Sequence, residues 1–428
     1  MAGTQAMHDR FGKLPFDTLF QPALWYAEHG VTISLHLAKF FQLRESFLSK
    51  SPEGLAFLHQ AATICPKRAI ISCSPNWPRP CTTSRPMAPA SCIPAPGARA
   101  FVAAVQKGGG KATAADLADY RPNWNEPYID EVFGHTVYVN GAPNLSVYQV
   151  VTGLNMAEAL KLDQRGPYWS DPAAFRDLMR ISDFVSPAPN FDKQTADFLH
   201  AKGIDTREAG QRKKAFATSA APLLDQFFTA GAGPDNHHSN SIVVVDKAGN
   251  IAVMTHTINA VIWGDTGIVV GGIPLPNSAG FQQERLAQHK PGDRLPNEIA
   301  VTLTVDGKKP VLATAPIGAS LVPETIRLIL GVVGQKQDLA SVVAAPALRA
   351  NLGDAAKALS DRAVMVPADA YGADFLDQVK ALGVRLQTVP AETARGLRGT
   401  LATAALDPKT GTASSPEVPG VMIFSGAE

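Results

Sequence analysis

Ser239 stands directly before a β-branched run, in the stretch Asn236-His-His-Ser-Asn-Ser-Ile-Val-Val-Val-Asp-Lys-Ala-Gly-Asn250. The next segment, Ile251 to Asn259, ends in Met-Thr-His-Thr-Ile-Asn. A serine hydroxyl becomes a nucleophile for acyl transfer once a base takes its proton. Threonine and asparagine side chains nearby can orient that hydroxyl or hold a substrate. These residue types suit a covalent hydrolase or acyltransferase, and such chemistry needs no cofactor. His237, His238 and His256 raise the question of a metal. Two adjacent histidines point apart along an extended chain, and no third ligand follows at metal spacing, so no metal is expected.

The elements that must present these groups follow from local pattern. Ser241 to Asp246 is predicted as a strand by its β-branched density, Lys247 to Asn250 carries turn chemistry, and Ile251 to Ile258 continues as a strand. Side chains alternate along a strand, so Thr255, Thr257 and Asn259 share one face. One hairpin can therefore bring Ser239 and these three polar groups to a single site. By pattern alone the block reads first as an ordinary core hairpin with a solvated polar face.

The junction resembles the self-cleavage site of the γ-glutamyltranspeptidase family, whose members are N-terminal-nucleophile hydrolases. That family cleaves itself before a threonine that opens a strand ending in Val-Val-Asp, followed by a Gly-Asn turn. Counted back without a gap from Asp246, Ser239 falls on the nucleophile position, and counted forward Thr257 and Asn259 fall on a Thr-x-Asn pair. Trp263-Gly264 stands near the family's aromatic-Gly step. Pro291-Gly-Asp-Arg-Leu295, Asp306-Gly-Lys-Lys-Pro-Val-Leu312 and Ala315-Pro-Ile-Gly-Ala-Ser320 resemble its Pro-Gly-x-Arg, Asp-Gly-Lys and Ser-Pro-Gly-Gly-Ser segments. The blocks keep their order and approximate spacing.

The first half carries the resemblance too. Gln21-Pro-Ala-Leu-Trp-Tyr-Ala-Glu-His-Gly30 is similar to a helix of the family's large subunit, and Phe101 to Pro122 matches another block. Physically the latter reads as a helix to Lys107, a stop at Gly108 to Gly110, and a new helix capped by Thr113 with Asp116 three residues on. The Gly-Gly-Gly-Lys run lacks phosphate-loop spacing and follows a helix rather than a strand.

The resemblance implies an α+β fold, a four-layer αββα sandwich, with helices outside and strands within. It divides the chain into a large-subunit-like part, residues 1–238, and a small-subunit-like part, residues 239–428. A length of 428 residues alone would suggest roughly three domains. Further elements expected are a helix from Glu324 to Val333, an amphipathic helix from Ala368 to Leu386, and strands Arg385 to Val389 and Thr400 to Leu406. Asp407-Pro-Lys-Thr-Gly411 is expected to be a turn.

By the same resemblance, Ser239 attacks the carbonyl of His238, and water releases a new chain beginning at Ser239. The freed α-amino group, with a pKa of about 7.7–8.0, then serves as base for its own hydroxyl. In turnover Ser239 forms an acyl-enzyme from a γ-glutamyl-type amide and passes the acyl group to water or an amine. Thr257 orients the nucleophile, the backbone N–H groups of Ile317 and Gly318 form an oxyanion hole, and Asn259 holds the donor. Ile317 stands where the family has a glycine, which alone is free of φ restriction.

Departures bear on the substrate. The acidic residue that precedes Phe281 in the family is Gly280 here, and a Ser-Ser pair becomes Pro296-Asn297 or Asn297-Glu298. Asn277, Asp265, Asn297 and Glu298 are the groups left to bind the donor's ends. Losing one side of a buried charge pair costs roughly 2–5 kcal/mol, which weakens the case for glutathione relative to other amides. Pro143-Asn-Leu-Ser-Val-Tyr148 occupies the place of a large-subunit Ser-Ser-Gly-Gly block.

Composition sets outer limits. Hydrophobic residues make up 45% and charged residues 18%, enough for a sizeable core. A net charge of +1 argues against nucleic acid as a partner. No apolar run reaches the roughly 18–20 residues of a membrane span. The expected partners are a small-molecule amide, water or an amine acceptor, and the two subunits of one precursor.

The opening residues show no basic-then-apolar signal layout, and the resemblance begins well inside the large subunit. A shortened reading of a longer gene is one expectation, and a lineage without the leading segment is the other. All four cysteines and eight prolines fall between Cys65 and Pro96. Their spacing fits no Cys-x-x-Cys metal pair. One choice of GC-rich codons for Asn76 to Pro96 has a neighbouring frame that encodes a cysteine-free amphipathic helix. A compensated frameshift over residues 63–96 is therefore expected, with the segment as written a poorly ordered loop. A catalytically inactive remnant and an amidase with a non-glutamyl substrate are the alternatives.

Overall fold

The computed structural model describes residues 2–29, 31–33, 35–62, 69–71, 95–141, 146–185, 239–258, 264–277, 286–287, 289–294, 299–318, 321–346, 349–350, 363–390, 401–407 and 409–416. The chain forms two compact units: Met1–Trp124 with Ala260–Ser278, and Asn125–Asn259 with Ala279–Glu428. These units are set by compactness, whereas a division at 238/239 would be one of covalent processing.

The first unit is largely helical. It contains α1 (Ala2–Phe11), a 3-10 turn (Phe16–Phe20), α2 (Gln21–His29), β1 (Val31–Ile33), α3 (Leu35–Leu48), α4 (Pro52–Ala62), β2 (Ala69–Ile71), α5 (Ala95–Lys107) and α6 (Ala114–Asp119). α2 fills the span predicted for it. The predicted capping box is present: Asp116 N–H donates to Thr113 Oγ1 at 3.2 Å, and Thr113 N–H to Asp116 Oδ2 at 2.7 Å. Within the span expected as loop, Ala69–Ile71 pairs antiparallel with β1. Two aliphatic β-branched residues in a row are good strand formers, which accounts for that departure. Ala95 and Pro96 open α5, where a proline's missing N–H costs nothing. Residues 63–68 and 72–94, with the four cysteines, lie outside the described residues.

The second unit begins with β3 (Tyr128–Val132), β4 (His135–Val139), α7 (Ser146–Ala159), α8 (Pro172–Val185), β5 (Ser239–Val245) and β6 (Ile251–Thr257). The chain then passes through the first unit, where β7 (Val269–Val270) and β8 (Ile273–Pro274) pair as a short ribbon. The second unit resumes with β9 (Thr302–Asp306), β10 (Lys309–Thr314), α9 (Leu321–Ile329), a π-helical turn (Leu330–Gly334) and α10 (Leu339–Ala344). It closes with β11 (Arg349–Ala350), β12 (Ala363–Pro367), α11 (Ala373–Ala381), β13 (Arg385–Val389), β14 (Thr403–Leu406) and β15 (Ala413–Ser414).

Six of these strands form one sheet in the order β15-β14-β10-β9-β4-β3, every neighbour antiparallel. Val137, Val139 and Leu312 share one face and join a core with Leu154 of α7, Phe175 of α8 and Ile326 of α9. Burying each such side chain contributes about 1.5–3 kcal/mol. β10 is buried on both faces, since Leu312 and its neighbour Ala313 point oppositely and both are 0% exposed. A second sheet has β12 and β13 parallel, with β11 antiparallel to β12. Parallel neighbours need a crossover, and α11 supplies it. Tyr371 and Phe375 stack at 5.1 Å and meet Phe175 edge-on.

Several boundaries differ from those the pattern suggested, that of β5 among them, which starts at Ser239 rather than Ser241. The amphipathic helix expected over 368–386 is only Ala373–Ala381, because Gly383 adopts φ +83° and the chain turns into β13. The helix expected at Glu324 starts at Leu321, and its last predicted residues lie in the π-helical turn. The strand expected from Thr400 begins at Thr403. The Asp407 turn is as predicted: Gly411 N–H donates to the Asp407 carbonyl at 2.7 Å, linking β14 to β15. No helix among the described residues is long and apolar enough to cross a membrane.

Candidate active site

The β5–β6 hairpin runs in one unbroken register, from Ser239 opposite Thr257 to Val245 opposite Ile251. Its loop is fixed by Asp246, whose Oδ1 accepts the N–H groups of Ala248 and Asn250 at 2.9 Å each. Asn250 Nδ2 also donates to Asp246 Oδ2 at 2.7 Å. That loop sets the register, and the register decides which hydroxyls face each other. Ser239 Oγ donates to Thr257 Oγ1 at 2.8 Å. Two residues further in, Ser241 Oγ and Thr255 Oγ1 lie 2.9 Å apart. All four hydroxyls lie on the half-buried face, while Asn240, Ile242, Val244 and His256 are exposed.

The hairpin sits beside the six-stranded sheet, with β6 approaching β10 and β5 approaching β14. β10 ends at Thr314 and leads through Ala315 to Gly318 into α9. Ala315 N–H donates to the Ala402 carbonyl at 2.8 Å, tying the start of this turn to the strand that precedes Thr403. Gly318 takes φ +92°, a left-handed conformation that a β-carbon would strain. Ile317 is buried and is not among the residues with positive φ. Isoleucine is therefore unstrained at a position where the sequence had raised doubt, and glycine stands where the backbone needs it.

Of the remaining candidates one is described and the others are not. Asn277 belongs to the first unit, where its N–H donates to Asp265 Oδ1 at 3.2 Å. His238, Asn259 and Asn297 lie outside the described residues, as do Gly280, Pro296 and Glu298. Among the described residues, no three His, Cys, Asp or Glu side chains gather as metal ligands would. Sequence reasoning had named Thr255 but missed its partner Ser241. The signal was available: with a loop of this length, positions 241 and 255 pair as surely as 239 and 257.

A hydroxyl at the head of a strand, held by a cross-strand threonine, is thus present in the fold. The family model described as gamma-glutamyltranspeptidase matches residues 1–398 of this chain. The chain belongs to the γ-glutamyltranspeptidase family. Among curated relatives, a glutathione hydrolase proenzyme of Pseudomonas aeruginosa is 24% identical over 364 residues, covering 80% of this chain and 63% of that protein. An acylase ACY 1 proenzyme of a Pseudomonas species is 22% identical over 345 residues, covering 79% of this chain and 61% of the relative. This γ-glutamyltranspeptidase-family chain therefore spans less than two thirds of the length of these relatives. Its fold is similar to the crystal structure of a cephalosporin acylase from Bacillus halodurans, with a TM-score of 0.68 at 17% identity over 98% of this chain and 76% of that one. Mixed helix-and-sheet architecture is common to both.

Proposed function

We propose that this transpeptidase-family chain is an amide hydrolase and acyltransferase that cuts itself between His238 and Ser239. The observation that carries this reading is the 2.8 Å hydrogen bond from Ser239 Oγ to Thr257 Oγ1. In maturation, Oγ attacks the His238 carbonyl and gives its proton to the departing nitrogen. The C–N bond breaks, so that the peptide becomes an ester with the Ser239 amine free. Water then hydrolyses the ester to release the Ser239 hydroxyl and a carboxylate on His238. In turnover that amine takes the hydroxyl proton while Oγ attacks a γ-glutamyl or related amide carbon. The tetrahedral oxyanion is met by the N–H groups of Ile317 and Gly318. Collapse expels the amine leaving group, which takes the proton back, and leaves an ester on Ser239. Water or an acceptor amine then releases the acyl group. Asn259 and Asn297 are assigned to the donor.

A four-layer αββα sandwich belongs to the same proposal. Support comes from β10, buried on both faces, from the hairpin close to it, and from α7, α8 and α9, which share a core with one face of the sheet.

Thr257 accepts the nucleophile's proton-bearing bond and so fixes where Oγ points. Thr257→Val keeps the shape and removes that acceptor, worth about 1.4 kcal/mol in orientation, and is expected to lower kcat about tenfold. Circular dichroism should show an unchanged fold. The substrate is tested with chromogenic anilides carrying γ-glutamyl, glutaryl and simple acyl groups. Release from the γ-glutamyl or glutaryl anilide supports the proposal, and faster reaction in the presence of an amine acceptor marks transfer. An enzyme inert toward all three sinks it.

A further inference from the structure

Thr314, the last residue of β10, is the cross-strand partner of Thr302 on β9 and of Thr403 on β14. These three side chains form a row across three neighbouring strands, on one face, and are 1%, 0% and 2% exposed for Thr302, Thr314 and Thr403 respectively. Thr302 Oγ1 and Thr314 Oγ1 lie 2.8 Å apart. Thr403 Oγ1 donates to the Ala313 carbonyl at 3.0 Å. The residue after Thr314 is also tied down, by the bond from Ala315 N–H to the Ala402 carbonyl. Valine has the same shape as threonine, suits a strand at least as well and carries no hydroxyl to desolvate. Packing alone therefore gives no reason for hydroxyls in this row.

Their placement gives one. The turn from Ala315 to Gly318 begins one residue beyond Thr314, and a buried hydroxyl bond fixes a separation and direction that apolar contacts leave loose. The geometry points to Thr302 and Thr314, with Thr403 behind them, as positioning residues that hold the end of β10 so that the Ile317 and Gly318 N–H groups stay aimed at the reacting carbonyl. This rests on the oxyanion role proposed above for that turn. Neither hydroxyl touches substrate; both act through the backbone they hold. An oxyanion donor displaced by about an ångström loses much of its effect, and losses of about 10- to 100-fold in rate follow from misplacement of that order.

The test uses the full-length chain and two double variants. Thr302→Val with Thr314→Val removes both hydroxyls together, so that neither is left buried without its partner. Thr302→Ser with Thr314→Ser keeps the hydroxyls and sacrifices the methyl groups. Both are assayed with whichever anilide the unaltered enzyme hydrolyses fastest, alongside thermal unfolding. The valine pair is expected to unfold at or above the unaltered temperature while its kcat falls about 10- to 100-fold at unchanged KM. The serine pair is expected to unfold earlier yet keep kcat within about threefold of the unaltered enzyme, a small change on the scale of one hydrogen bond. A valine pair that turns over at the unaltered rate overturns the positioning role alone. Rates that track unfolding temperature in both variants overturn it as well. If the unaltered chain neither cuts itself nor hydrolyses any anilide, the parent proposal falls and this one with it.

Discussion

Ser239→Ala is expected to leave the chain in one piece and to lower amide hydrolysis by about 10⁴–10⁶-fold. The reason is chemical rather than structural. Alanine at the head of β5 preserves every backbone pairing of the hairpin, whose register depends on the Asp246 loop and not on the Ser239 hydroxyl. What disappears is the atom that would form the ester, and with it both acts of the proposed chemistry. Without cleavage there is no free amine at position 239 to act as base, so one substitution removes nucleophile and base together. Any remaining rate would come from binding and oxyanion stabilisation. Steady-state hydrolysis with circular dichroism as the fold control checks this. A variant retaining a tenth of the unaltered activity would remove Ser239 from the chemistry.

The second large effect concerns stability. Glu324 and Arg327 sit on α9, their side chains each 5% exposed, with a 2.5 Å contact between Arg327 Nη2 and Glu324 Oε2. Arg327 Nη1 also donates to the Val342 carbonyl on α10. Burial works against the guanidinium charge, but Glu324 and the neighbouring Tyr168 outweigh it and hold the Arg327 pKa above its ordinary value. Arg327→Met removes the cation beside a buried carboxylate and the donor to a buried carbonyl. It is expected to cost about 3–5 kcal/mol in urea unfolding. Replacing both partners, as Glu324→Leu with Arg327→Met, removes both charges of the pair together and is expected to recover most of that loss. A single variant as stable as the unaltered chain would show that water or another group replaces the arginine.

Local chemistry made part of this fold legible in the sequence. The hairpin from Ser239 to Thr257 was readable because β-branched density and an Asp-Lys-Ala-Gly-Asn loop both lie within twenty residues of chain. The Thr113–Asp116 capping box was readable for the same reason, since capping is decided three residues away. The helix predicted over 368–386 came out short because apolar spacing continues past Gly383, while the backbone does not. The Thr302–Thr314–Thr403 row was hidden. Thr314 and Thr403 are 89 positions apart in the chain, and only the pairing of β10 with β14 brings them together. The buried Glu324–Arg327 pair was hidden in another way: at spacing i, i+3 it looks like an ordinary surface pair, and only the packing of α9 into the core makes it a buried one.

Within the site, Ser239 and Thr257 could be named from sequence because the family's motif spacing survives there. The backbone conformation at Ile317 could not, because sequence alone does not say which of two adjacent residues takes the left-handed conformation. The backbone gives that conformation to Gly318.

Freshly purified full-length protein, weighed intact and then sequenced from its free amino termini, speaks most directly to whether one hydroxyl breaks the bond ahead of it. Self-processing yields two chains whose masses sum to that of the precursor plus one water, the second of them starting at Ser239. A folded chain that stays whole after prolonged incubation, or one cut at any other bond, contradicts it.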